Sequence, residues 1–107
     1  MSTPTNTNVL AEGIEIIGSI RFQNDMHIDG KIDGKIESDS GKVTIGELAN
    51  VKGDIEAGDV FVYGNVEGNI KSASCHLNEH ATITGDITTQ ALSMERGARL
   101  KGHTNIG

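Results

Sequence analysis

Large rings are almost missing from this chain. Phe22, Phe61 and Tyr63 are its only aromatic residues, 3% of the whole, and there is no tryptophan. Compact globules commonly fill their centres with aromatic side chains, so the interior here must be thin enough for Val, Ile and Leu to close it. Cysteine occurs once, at Cys75, which excludes an intrachain disulfide and fits a reducing compartment. Positive charge is scarce: 9 Lys and Arg stand against 15 Asp and Glu, a net of −6. Nucleic acid needs a basic face, and electrostatic binding to anionic lipid needs clustered cations, so neither is an expected partner on charge. No apolar run approaches the ~20 residues of a membrane span. The opening MSTPTNTNVL has no Lys, no Arg and no apolar stretch, unlike a secretory signal.

What the chain does have is glycine, 14 residues among 107, roughly twice the usual share of about 7%. The glycines keep time. Apolar-x-Gly-x-apolar occurs at Ile16–Ile20, Ile32–Ile36, Val51–Ile55, Val66–Ile70 and Ile83–Ile87, and a sixth copy, Leu100–Thr104, ends in threonine. Its glycines, 18, 34, 53, 68, 85 and 102, step by 16, 19, 15, 17 and 17 residues. A second pattern, apolar-x-apolar, runs in phase at Met26–Ile28, Val43–Ile45, Val60–Val62, Cys75–Leu77 and Leu92–Met94. Two markers sharing one step mark a repeat protein.

Alternation with period two predicts strands. Glycine and β-branched residues argue against helix. Each unit of about 17 residues is therefore one coil of three short strands, and coils stack at the ~4.8 Å spacing of paired strands. Length changes fall at corners: GELAN, NEHAT and ERGAR are two residues longer than their counterparts and carry Ala49, Ala81 and Ala98 in register. Solenoids tolerate insertions there. The prediction is an all-β parallel β-helix of about six coils over residues 14–107, preceded by a flexible tail, 1–13. Inward columns collect Ile32, Val51, Val66, Ile83 and Leu100 on one wall, and Ile28, Ile45, Val62, Leu77 and Met94 on another.

Neither end of such a stack has a recognisable cap. The first coil offers Ile14, Ile16, Ile17, Ile20 and Phe22, and the last offers Leu92, Met94, Leu100 and Ile106. Monomeric solenoids cover these surfaces, so both sets are candidate interfaces for self-association. Phe61 and Tyr63 form a candidate lateral or partner surface. Candidate chemistry is thin. His76 and His80 are four apart but straddle a strand and a corner. Asp29/Asp33 and Asp54/Asp59 read as surface residues. No phosphate-cradling glycine loop is present, and no cofactor, metal or nucleotide is expected.

The repeated I-x-G-x-I units, the 17-residue step, corners such as ANVKGDI and ATITGDI, and MHIDGKIDGKI at 26–36 resemble the bactofilins, bacterial cytoskeletal proteins, over residues 14–106. The resemblance implies a right-handed β-helix that polymerises end to end into non-polar filaments without nucleotide. It implies a cytoplasmic scaffold, peripheral at the inner face of the membrane, that organises cell-wall enzymes, membrane proteins or cell shape. Family members often carry a membrane-seeking tail; here only Val9 and Leu10 are apolar before the coils, and no cation precedes Arg21. The competing expectation is a β-helical enzyme, acyltransferase or carbonic anhydrase-like. Those resemble hexapeptide repeats with 18 residues per coil, a different step.

Overall fold

The computed structural model describes residues 7–10, 13–22, 25–39 and 41–106. Twelve strands and no helix occur among the described residues. Every strand pairing is parallel, as in β3 (Asp25–Ile28) with β5 (Lys42–Ile45) or β7 (Asn65–Glu67) with β9 (Thr82–Thr84). The strands wind into six layers with three faces.

The first face carries β1 (Thr7–Leu10), β3, β5, the end of β6 (Asn50–Val62), and the ends of β8 (Ile70–Leu77) and β10 (Ile87–Met94). The second carries the starts of β2 (Glu15–Arg21), β4 (Lys31–Glu37) and β6, then β7, β9 and β11 (Arg99–Lys101). The third carries the ends of β2 and β4, the middle of β6, the starts of β8 and β10, and β12 (Thr104–Ile106). Thr7–Leu10 falls within the stretch expected from sequence to be a flexible tail. Its backbone pairs instead with β3, from Thr7 on Asp25 to Leu10 on Ile28. The repeat patterns missed it because the positions that align with Met26 and Ile28 are Asn8 and Leu10, which breaks the apolar-x-apolar marker.

The inward columns close a narrow core. Ile28, Ile32, Ile36, Ile45, Val51, Ile55, Val66, Ile70, Leu77, Ile83 and Ile87 are all at most 1% exposed. Burying one such side chain contributes roughly 1.5–3 kcal/mol, and no ring is needed to fill the space. Ala49, Ala81 and Ala98 sit in one repeated turn: each N–H donates to a carbonyl three residues back, on Gly46, Asn78 and Glu95. Ala49 and Ala81 are buried at this turn, at 2% and 1% exposed.

The glycines of the repeat turn the chain from the second face to the third. Gly53 has φ 132°, and a Cβ there would overlap the carbonyl oxygen of Gly34 one layer below. Backbone of adjacent layers touches at this corner, so both the dihedral and the space require glycine. At the third corner the column is small or polar. Thr89 is 2% exposed, yet its hydroxyl donates to the Ala91 carbonyl at 3.1 Å and lies 3.4 Å from Ser72 Oγ. The buried Ser38 hydroxyl accepts from the Gly41 N–H at 2.9 Å. Hydrogen bonding makes these buried polar groups tolerable.

Candidate functional site: the two ends of the stack

The same inward columns that are sealed in the middle open at the ends. On the second face, Ile32 and Ile83 are 1% and 0% exposed, while Ile16 and Leu100, the first and last members of that column, are half-buried. On the first face Cys75 and Leu77 are sealed, whereas Leu92 is half-buried and Met94 exposed. On the third face, Ile106 pairs with Thr89 and is 60% exposed. Nothing among the described residues lies over these side chains, and the outer edges of β2, β11 and β12 have no strand partner there. Gly18 gives an independent reading of the same fact. It shares the conformation of Gly53, with φ 127°, but a Cβ on it would meet nothing within 4 Å, because no layer lies beneath.

The N-terminal candidates separate into three kinds. Ile14, Ile16 and Ile20 lie in the first layer with part of their surface open. Ile17 pairs with Asp33 in an outward column and projects sideways, 80% exposed. Phe22 is already covered, at 8% exposed, by the single chain's own core. The C-terminal candidates Leu92, Met94, Leu100 and Ile106 all lie in the sixth layer. Val9 and Leu10 lie in β1.

Charge differs between the ends. Residues 13–22 of the first layer hold Glu15 against Arg21, whereas 91–107 hold Arg96, Arg99 and Lys101 against Glu95. In an acidic protein the last layer is a basic tip.

Outward side chains elsewhere form small ladders. Phe61 pairs in register with His76. Their rings stack at 4.4 Å between centroids, 16° from parallel, and Lys42 Nζ lies 5.0 Å from the Phe61 ring centre. Phe61 is thus a half-covered member of a stacked group. Tyr63 instead lines a groove with Leu48, Thr44 and the His27–Asp29 pair, whose Nε2 and Oδ2 are 3.0 Å apart. Leu48, 64% exposed at the tip of a long corner, was not singled out by sequence. Its equivalents in the other long corners, His80 and Gly97, carry no apolar side chain, and that contrast was the available signal.

Chemically reactive groups are dispersed. Burial pushes the Cys75 thiol up to about 12 from 9.0, which leaves it a protonated core residue. His76 is in the ring stack, while His80 sits on the next corner beside Glu79. Asp54 accepts from the Asn69 N–H at 3.4 Å, and Asp33 stands in an outward column between Ile17 and Lys52. Among the described residues, no group of three or more His, Cys, Asp or Glu side chains is placed to hold a metal.

Comparison with known proteins gives a consistent result. The family model Bactofilin, described as polymer-forming cytoskeletal, matches residues 8–105. The chain is similar to the bactofilin of Thermus thermophilus in a cryo-EM reconstruction of double helical filaments. The TM-score is 0.89 and the identity 28%, over 94% of this chain and 99% of that one. It is similar also to the cytoskeletal bactofilin BacA solved by solid-state NMR, with TM-score 0.86 and 32% identity over 94% of this chain and 95% of that one. Curated protein sequences give no match.

Proposed function

Since the chain belongs to the bactofilin family of polymer-forming cytoskeletal proteins, we propose that it is a structural scaffold whose stacks join end to end through their uncovered layers. The observation that carries this reading is the exposure gradient: the column of Ile28, Ile45, Val62 and Leu77, sealed at 0–1%, opens at Met94 to 45%, and Ile106, stacked on the buried Thr89, reaches 60%. A second copy docked on the sixth layer continues the core and pairs the free strand edges. Ile16 and Ile20 do the same at the first layer.

Magnitudes show what the joint must contain. Four half-exposed side chains on each of the two ends that meet contribute about 6–12 kcal/mol in all when covered, while association costs about 4–15 kcal/mol. Apolar contact alone leaves the joint near balance. Strand pairing across it has to supply the remainder, so the joint demands registered layers rather than loose contact. Both ends are apolar, so like ends can meet about two-fold axes and alternate into a filament without polarity.

The filament in this reading needs no nucleotide or cofactor, and the protein is not an enzyme. The 17-residue register favours this over a hexapeptide-type acyltransferase or carbonic anhydrase-like activity. Its partners are further copies of itself and, through the outer faces, cell-wall enzymes or membrane proteins at the cytoplasmic side of the inner membrane. The net charge of −6 favours contact through such proteins, or weakly through Val9 and Leu10, over adsorption to anionic lipid. Pelleting of the purified chain without nucleotide tests the assembly. Most of the protein should sediment, and Leu100→Asp should return it to the supernatant; sedimentation that Leu100→Asp leaves unchanged contradicts the C-terminal joint.

A further inference from the structure

Between the first and second faces, one long edge of the stack alternates in depth from its second layer to its fourth. In the second layer the chain turns through the short corner Asp29–Gly30. In the third, the long corner Gly46–Ala49 projects, with Leu48 at its tip. In the fourth, the short corner Tyr63–Gly64 returns. Ile14 opens the same edge in the first layer, 46% exposed. Gly30 floors a notch of about 330 Å³ with Ile14 and Leu48 among its walls.

We propose that this edge is a self-complementary seam through which a second copy of the chain, lying antiparallel in a neighbouring filament, pairs filaments side by side. The proposal rests on the filament reading above. Placing a two-fold axis between the second and third layers matches layer two with layer three and layer one with layer four. Leu48 of each copy then enters the other's notch beside Gly30, and Tyr63 of each meets the other's Ile14. Each contact occurs twice, as an isologous interface requires. The match extends to charge: Lys31 in layer two comes opposite Glu47 in layer three, both exposed and neither ion-paired with another described residue. In a filament whose subunits alternate in direction, every subunit can meet an antiparallel neighbour. The double helical filaments of the Thermus thermophilus relative make a second copy the favoured occupant over an unrelated protein.

Size explains why such a seam serves filaments and not free chains. A few apolar side chains per edge fall far short of the roughly 20–30 residues a side of a stable interface. One contact is therefore weak. Repeated along two polymers it becomes effectively intramolecular after the first, and weak contacts add.

The test is electron microscopy of filament width together with pelleting, for the native chain, Leu48→Asp and the control His80→Asp at the equivalent corner of the fifth layer. Leu48 is exposed in the single chain, so the variant should keep its fold, checked by circular dichroism. The seam predicts paired filaments for the native chain and for His80→Asp, and single filaments for Leu48→Asp with the pelleted fraction unchanged. Paired filaments in Leu48→Asp, or only single filaments in the native chain, overturn the seam and leave the end joints standing. Absence of any polymer from the native chain overturns the filament reading itself.

Discussion

Met94 pairs directly with Leu77 in the ladder of the first face, yet Leu77 is 1% exposed and Met94 45%. The two residues hold one structural position, one layer apart. What separates them is a neighbour: Leu77 has a layer on both sides and Met94 on one. A surface that differs from the core only by lacking its next layer is a surface that another copy can complete.

Met94→Asp should therefore block the C-terminal joint without unfolding the chain, because the carboxylate is hydrated in the free protein and loses water only in the joint. Burying an unpaired charge costs several kcal/mol, enough to abolish that contact. If like ends meet, the N-terminal joint survives and light scattering coupled to gel filtration should give about twice the 11.3 kDa chain mass. A mixture of longer species contradicts the blocked joint.

Salt reports the polarity of the filament. Like-end joints bring together two basic tips, each with Arg96, Arg99 and Lys101, at every second joint, and two first layers in which Glu15 balances Arg21 at the others. Screening shortens from about 10 Å at 0.1 M salt to about 3 Å at 1 M, so assembly should strengthen as salt rises. Head-to-tail joints would set the basic tip on a first layer where Glu15 balances Arg21, and salt would leave them nearly unchanged. Pelleting across a salt series distinguishes the two responses.

Much of this was legible in the sequence, for a physical reason. A solenoid repeats its environment at each layer, so the step of the glycines fixes the columns, and Ala49, Ala81 and Ala98 reveal that one turn is used three times. The stacking of Phe61 on His76 follows from the same step, since both fall in one outward column. The first layer was harder to read, because it has a neighbour on one side only and its pattern is incomplete. Ile17 looks like part of an apolar end but alternation turns it outward, and Phe22 looks available but is folded into the core. The Leu48 notch lies beyond a one-dimensional pattern, because it arises from the depth difference between a short corner and a long one in adjacent layers.

Gly53→Ala tests the backbone contact between layers. The φ of 132° is strained for any L side chain, and the added Cβ overlaps the Gly34 carbonyl oxygen. Strain alone costs about 1–3 kcal/mol, and the overlap adds to it. Gly18→Ala meets the strain without the overlap. In an Ile16→Asp, Leu100→Asp background, which blocks both joints and keeps assembly out of the measurement, thermal unfolding should show the larger loss for Gly53→Ala. Equal losses would mean that the overlap is relieved at no cost.

Cys75 supplies a pH signature. Its folded thiol titrates at about 12 instead of 9.0, because burial disfavours the thiolate. Unfolded chains ionise first, so stability is unaffected below pH 9 and falls above it, by about 1.4 kcal/mol per pH unit until the folded thiol also ionises. Denaturant midpoints of Cys75→Ala should lack that component of the alkaline decline. The native thiol should also resist alkylation at neutral pH until the chain unfolds.

The central claim is that the uncovered layers are joints, and electron microscopy of the purified chain in nucleotide-free buffer tests it most directly. The account predicts filaments that disappear in a chain carrying both Ile16→Asp and Leu100→Asp. Discrete particles of single-chain mass at every protein concentration, with those two substitutions making no difference, would contradict it.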